Sequence, residues 1–333
     1  MANVEGRGII ACRRDGMKVA AGIDVSKGHL DVSISAGKVK RFVNGEEGIE
    51  ALTSWLSRGG VSVVVCESTG GYERGVVEGL ERSGILVWLA HPVRVRALAQ
   101  AYGQEAKTDA LDARMLSRYG ELFEPEEVHS LSESERALRE VIRRRAQLVE
   151  QRVQERNRLE KGLRGLAKES TERHIEWLDE EIERLEGERR SLLRSDAELL
   201  ERARLYSSVV GVGEHTAGVL LTHLPELGRC SGKSLTALVG LAPWSKDSGR
   251  KRGHRAIRGG RGAVRRALYM SALSAVRRAG QMRSFYERLR SKGKPFKVAL
   301  VAVMRKMLLQ LNAVARRGTP WVENYTPAPS PAP

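Results

Sequence analysis

The residues from Lys107 to Arg114 read Lys-Thr-Asp-Ala-Leu-Asp-Ala-Arg. Thr108 can cap a helix, because its hydroxyl accepts a bond from an orphan backbone N–H. Asp109 and Asp112 then fall in the first turns, three apart, on one helix face. Carboxylates that close repel unless a cation lies between them, and the helix dipole tolerates them without requiring a metal. Alone, the pair reads equally well as the acidic first turn of a solvated helix. Two further acids change the balance: Asp24 ends the strand-like run from Val19, and Glu67 follows the β-branched run Val61–Cys66. Sites in open α/β sheets form beyond the carboxyl ends of central strands. Four carboxylates from three separated segments can converge there. Such an oxygen-rich set suits Mg²⁺ or Mn²⁺ rather than zinc, and beside a basic surface it points to phosphodiester chemistry. Individually, Asp24 is also a turn-former and Glu67 a surface acid; their joint placement favours the metal.

The elements that must position these acids follow from periodicity. His29–Ser35 alternates through Leu30, Val32 and Ile34, and Lys38–Asn44 alternates less cleanly. Ile49, Leu52 and Leu56 have helical spacing within Glu46–Leu56. Tyr72–Arg82 is helical and stops at Gly84, Ile85–Ala90 is a strand, and Val93–Tyr102 is a helix leading to Asp109. A meander followed by βα units predicts a mixed sheet covered by helices. Gly70-Gly71 follows a strand, but no G-x-G-x-x-G opens a helix there, which argues against a dinucleotide site.

From about Leu131 to Leu205 the composition shifts to Arg, Glu and Leu. Leu138, Ile142, Val149, Leu159, Leu163 and Leu166 keep an apolar stripe, and Leu178, Leu185, Leu192 and Leu199 recur at sevens. This heptad character predicts two long helices, packed as a coiled-coil hairpin or between protomers. Arg189 and Asp196 weaken the far end, Gly162 and Gly165 are weak points, and Lys168–Thr171 is the expected turn. The segment reads as a helical spacer without chemistry, suited to subunit pairing.

Gly211 and Gly213, in Val-Gly-Val-Gly-Glu-His-Thr, make a tight turn between apolar helices and resemble a helix-hairpin-helix. Backbone N–H groups at such a turn grip phosphates without reading sequence; an ordinary helix connector is the alternative. His215 is read as structural or exposed. Further on, Lys246, Arg250, Lys251, Arg252, Arg255, Arg258, Arg261, Arg265 and Arg266 crowd a Gly-rich stretch opposed only by Asp247. This is the strongest nucleic-acid signal in the chain. Ser248 sits among these cations, where a hydroxyl could attack a phosphodiester; Ser245 is equally available by residue type. Val264–Arg277 and Pro295–Ala315 read as helices that finish a small all-α domain.

The chain has 333 residues, enough for two or three domains. Its formal charge of +16 implies a polyanionic partner. Nucleic acid fits better than membrane, since no apolar run reaches the length of a bilayer span and no signal peptide is evident. Cys12, Cys66 and Cys230 make no metal-ligand spacing and read as reduced cytosolic thiols.

Gly22-Ile-Asp24-Val-Ser-Lys27, Glu67-Ser-Thr-Gly-Gly-Tyr72, Lys107-Thr-Asp-Ala-Leu-Asp112 and Gly240-Leu-Ala-Pro243 with Ser248-Gly249 closely resemble, in order and spacing, the IS110 insertion-sequence transposases and their Piv and MooV invertase relatives. The resemblance runs from about residue 18 to about 317. It implies a RuvC-like, RNase H-type α/β domain at 18–125 whose tetrad, Asp24, Glu67, Asp109 and Asp112, binds Mg²⁺ or Mn²⁺. Coiled-coil helices at 131–205 and a C-terminal transposase domain at 206–322 would follow, between an extension at 1–17 and a disordered tail at 323–333. Ser248 takes the place of the family's nucleophile. The resemblance further implies donor and target DNA as substrates, a noncoding bridge RNA as guide, homodimers that pair into tetramers, and a cytoplasmic, nucleoid-associated bacterial enzyme. Two other readings stay open: a Mg²⁺-dependent junction nuclease without a covalent intermediate, and a non-enzymatic nucleic-acid-binding scaffold.

Overall fold

The computed structural model describes residues 19–67, 71–90, 92–104, 108–123, 131–244 and 256–322. The expected extension, the tail, and the stretch from Ser245 to Arg255 with Ser248 lie outside the described residues. The chain divides into two compact units, Met1–Ser130 and Leu131–Pro333.

The first unit runs β1 (Ala20–Val25), β2 (His29–Ile34), β3 (Val39–Val43), α1 (Glu46–Arg58), β4 (Val63–Glu67), α2 (Arg74–Arg82), β5 (Leu86–Ala90), α3 (Pro92–Ala101) and α4 (Asp109–Leu122). The sheet order is β3-β2-β1-β4-β5. The two hairpin pairs are antiparallel, and β1–β4 and β4–β5 are parallel. This mixed sheet is consistent with an RNase H-like domain. The β1–β2 turn closes on Ser26, whose hydroxyl donates to the His29 carbonyl at 2.8 Å and accepts from its N–H at 3.1 Å.

Side-chain alternation assigns each face. Ala21, Ile23 and Val25 of β1, Leu30 and Val32 of β2 and Val64 and Cys66 of β4 form one core with Leu52, Leu56, Val76 and Leu80 of α1 and α2. On the other face Val65 and Ala90 pack against Val95 and Ala99 of α3 and Met115, Leu116 and Tyr119 of α4. There α4 lies directly on β1. A Cβ at Gly22 would sit 2.1 Å from the Ala113 carbonyl oxygen and 2.3 Å from the Ser117 nitrogen, so only glycine fits. The buried Ser117 hydroxyl donates to the Ala20 carbonyl at 2.8 Å and pins the helix to the strand.

The second unit begins with two long helices, α5 (Glu133–Glu160) and α6 (Gly165–Ser195). A reciprocal capping box, Ser132 with Glu135, starts α5. Arg145 pairs with Glu186, Arg152 with Asp179, and His174 faces Glu155, so the helices run antiparallel. The reversal falls at 161–164 rather than at Lys168–Thr171, because Gly162 and Gly165 supply the positive φ values, 89° and 56°, that a tight reversal needs. The heptad reading also needs correction. Leu178 and Ile182 are buried with Leu148, but Leu166 is 80% exposed and Leu193, not Leu192, is buried. Asp196 is not a core position. It caps a new helix, accepting from the Glu198 and Leu199 nitrogens. Arg189 is 3% exposed, bonded to Glu186 at 2.9 Å and Glu214 at 3.0 Å.

The helices α7 (Ala197–Ser207), α8 (Glu214–His223), α9 (Gly232–Val239), α10 (Gly262–Arg277), α11 (Gln281–Ser291) and α12 (Phe296–Arg317) complete the unit. It is not wholly helical: β6 (Pro243–Trp244) pairs with β7 (Ala256–Ile257) in a two-stranded ribbon. Contrary to the sequence reading, α12 is long and apolar enough to cross a membrane by length and composition. Leu300, Val303, Met304, Met307, Leu308 and Leu311 of α12 are instead buried in the core of this unit.

The close approach of α4 to β1 is testable. Gly22→Ala should destabilise the protein by at least roughly 2–3 kcal/mol, the upper end of overpacking costs. Gly28→Ala, where a Cβ meets nothing within 4 Å, should stay within about 0.5 kcal/mol. Urea denaturation of both variants checks this.

Candidate metal centre and nucleic-acid interface

Asp24 projects from the β1 face that carries Gly22, towards α4, because its neighbours Ile23 and Val25 join the opposite core. Glu67 shares that face, two residues after Val65. Ile23 stands opposite Cys66 across the parallel β1–β4 pair, so Asp24 and Glu67 follow at neighbouring strand ends. Thr108 caps α4 as the sequence predicts, its hydroxyl accepting from Leu111 N at 3.4 Å. Asp109 and Asp112 occupy the first turn. Gly22 touches α4 at Ala113, so the residues one turn earlier lie beside the end of β1.

The acids lie near enough to act on one another through charge. The Asp24 carboxyl is pushed up from 3.8 to about 6, first by burial and then by the negative charges of Asp112, Asp109, Glu67 and Asp31. The four sequence-predicted acids therefore share one field, with a fifth, Asp31, that sequence reasoning missed. Asp31 is the cross-strand partner of both Asp24 and Arg41. It is 4% exposed, and Arg41 grips both its oxygens, with Nε at 2.9 Å from Oδ1 and Nη2 at 2.7 Å from Oδ2. His29 Nε2 lies 3.6 Å from Asp31 and 3.7 Å from Asp109. The signal was available. Leu30, Val32 and Ile34 take one face of the alternation, which leaves His29 and Asp31 on the face of Asp24.

This donor set fits a hard divalent cation. The groups are carboxylates, and Asp24 is raised by burial and by the negative charges around it. Asp24, Glu67, Asp109 and Asp112 are the residues that would hold it. Of these, Asp24 is half-buried at the strand end and Asp109 is exposed at the helix tip.

In the second unit, the ribbon β6–β7 holds both ends of the stretch containing Ser245, Lys246, Ser248, Arg250, Lys251, Arg252 and Arg255, which itself lies outside the described residues. The ribbon's base is tightly packed. A Cβ at Gly240 would sit 2.2 Å from the Gly259 carbonyl oxygen, and one at Gly260 2.3 Å from Gly240 N. Arg265 donates to the Val239 carbonyl at 3.0 Å. Arg258 is exposed. Arg261, expected to contact nucleic acid, is engaged elsewhere: its guanidinium pairs with both Glu226 oxygens and donates to the His223 carbonyl at 3.0 Å. These contacts tie Arg261 into the fold. Gly211 is also a packing residue, since a Cβ there would sit 2.4 Å from the Ser271 carbonyl oxygen on α10. Gly213 caps α8 and faces open space. Burial holds the His215 and His223 imidazoles down at about 4, and both are neutral at pH 7.

The raised Asp24 carboxyl sets a pH dependence for the metal-free protein. The folded state keeps this proton to higher pH than the unfolded state, so the contribution favours folding at low pH. It is lost as pH rises from 3.8 through about 6. Asp24→Asn, neutral throughout, should raise the melting temperature in EDTA at pH 7.5 by roughly 2–5 °C. The gain should vanish near pH 4. Paired thermal scans across this range check it.

Two family models match the chain: an IS110 transposase model of the DEDD class over residues 21–167, and a model of the IS116/IS110/IS902 transposase family over residues 203–287. A pilin gene-inverting protein of Moraxella bovis is 29% identical over 315 residues, covering 91% of this chain and 98% of the relative. Its Moraxella lacunata counterpart is 28% identical over the same shares. An insertion element IS110 protein of Streptomyces coelicolor is 35% identical over 124 residues, 37% of this chain and 30% of the relative. The first match takes in every acid of the tetrad, and the second takes in the glycine turn, the ribbon and the basic stretch between its strands. The chain belongs to the IS110 family of transposases and is a DNA recombinase.

Proposed function

We propose that the enzyme cuts and rejoins DNA through a serine–phosphodiester intermediate, with Asp24, Glu67, Asp109 and Asp112 as its divalent-cation ligands. The observation that carries the reading is the placement of Asp24 and Glu67 at neighbouring strand ends beside the first turn of α4, where the charges of Glu67, Asp109 and Asp112 all act on Asp24. A divalent cation, when bound, offsets negative charge building on the reacting phosphate. Ser248 Oγ forms a bond to phosphorus, the bond from phosphorus to the DNA 3′-oxygen breaks, and the serine proton passes to solvent while the 3′-oxygen takes one up. The phosphoserine conserves the energy of the broken bond, so the reverse attack by a 3′-hydroxyl rejoins DNA without ATP. Lys246, Arg250, Lys251, Arg252, Arg255 and Arg258 position the backbone through charge, which is indifferent to sequence.

Sequence choice is then left to a bridge RNA that pairs with donor and target DNA. The net charge of +16 accommodates two polyanions. Pairing of protomers into dimers and tetramers uses the α5–α6 hairpin, which leaves Val153, Leu166 and Trp177 exposed. Magnesium or manganese serves as the cation, and the site of action is the cytoplasmic nucleoid.

The test incubates purified protein with Mg²⁺, donor and target DNA, and RNA transcribed from the noncoding flank of its gene. Wild type should give a protein–DNA adduct on a denaturing gel, and Ser248→Ala should give none. Asp109→Asn should lower strand exchange by more than ~10²-fold, the scale of losing one transition-state stabiliser. Its DNA affinity should stay within about twofold, because binding rests on the cations. Cleavage with free ends and no adduct in the wild type would replace this reading with a hydrolytic nuclease.

A further inference from the structure

Adjacent strands carry Arg41, Asp31 and Asp24 in one row on the face under α4. Asp31 stands directly opposite Asp24 across the antiparallel β1–β2 pair, and it is the most deeply buried carboxylate of the row, at 4% exposure. By residue type it would serve a metal as well as any of the tetrad. Two facts separate it from them. Both its oxygens already accept from the Arg41 guanidinium, at 2.9 and 2.7 Å. The same guanidinium carries a permanent charge whose Nη2 stands 4.0 Å from Asp109 Oδ2.

Without that guanidinium, the surroundings would form a second donor set. His29 Nε2 and one oxygen each from Asp31 and Asp109 lie within 4.8 Å of one another. The His29 nitrogen is buried and makes no hydrogen bond among the described residues. A cation drawn there would take Asp109 away from Asp24, Glu67 and Asp112. An arginine fork is the group that prevents it, because it matches a carboxylate bidentately and cannot lose its charge at neutral pH.

We propose that Arg41 is a positioning residue that sequesters Asp31, so that divalent cations bind at the tetrad and not at His29, Asp31 and Asp109. This rests on the tetrad reading above. It assigns Asp31 as a structural carboxylate and makes Arg41 the residue that keeps Asp109 available.

The test measures Mn²⁺ binding by the full-length protein, using calorimetry for affinity and electron paramagnetic resonance for stoichiometry. Arg41→Ala should add one Mn²⁺ per chain or tighten binding at least about tenfold, the scale of one added charge near 4 Å. Strand exchange should fall at the same time. A merely structural loss would weaken metal binding instead. Combining Arg41→Ala with Asp31→Asn should return stoichiometry and affinity to wild type. Arg41→Gln removes the charge with less loss of bulk, and is read in the same way if the alanine variant unfolds. Unchanged or weaker Mn²⁺ binding in a folded Arg41 variant overturns the assignment. Asp24→Asn separates the two failures. If it binds Mn²⁺ as wild type does, the tetrad reading falls and this one with it; if it loses binding while Arg41→Ala gains none, only the role of Arg41 falls.

Discussion

The closeness of α4 to β1 is the constraint on which the first unit depends. A helix can lie that near a strand only where the strand has no side chain, and Gly22 provides the gap. The contact is locked by Ser117, whose hydroxyl satisfies the Ala20 carbonyl and accepts from Ala36 N at 3.1 Å. One helical turn before this contact come Asp109 and Asp112; two residues along the strand comes Asp24. The geometry therefore brings like charges together by packing alone. The apolar cores on the two sheet faces hold the arrangement against that repulsion. Burial first, and then the neighbouring negative charges, push the Asp24 carboxyl up to about 6. A cation held there would offset this charge.

The fifth carboxylate shows how the fold limits that demand. Asp31 lies beside Asp24 because the β1–β2 turn sets the register, with Asp24 opposite Asp31. Left bare, it would add one more buried charge. The same register on the next pair places Arg41 opposite Asp31, and the bidentate pair neutralises it. A strand register thus fixes both the surplus and its compensation.

In the second unit the arginines divide by task. Arg189, Arg202, Arg261 and Arg265 are bound to acids or carbonyls inside the fold. Arg258 and Arg266 are exposed. Ion pairs such as Arg202–Glu135 and Arg261–Glu226 cancel one charge of each sign and leave the net charge of +16 standing. Gly240 and Gly260 let two backbones meet at the base of the ribbon, whose strands hold the two ends of the basic stretch.

Much of this was legible in the chain. The strands and helices of the first unit follow from period-two and helical spacing, and Thr108 announces the start of α4 in its residue type. These signals are local, and local preferences survive into the fold when burial agrees with them. Asp24, Glu67, Asp109 and Asp112 each stand at the end of such an element, which is what groups them in a linear reading. Tertiary structure decided the rest. The hairpin turns at Gly162 and Gly165 instead of Lys168–Thr171, because backbone conformation and not polarity sets a reversal. Asp196 caps a helix that the sevenfold repeat runs straight through. What Arg261 and Gly211 meet within the fold, Glu226 and Ser271, is likewise invisible in a linear reading. Asp31 escaped notice for the same reason, since its importance lies in what stands across two strand pairs. Spacing along the chain reveals which residues share a face; only packing reveals what that face meets.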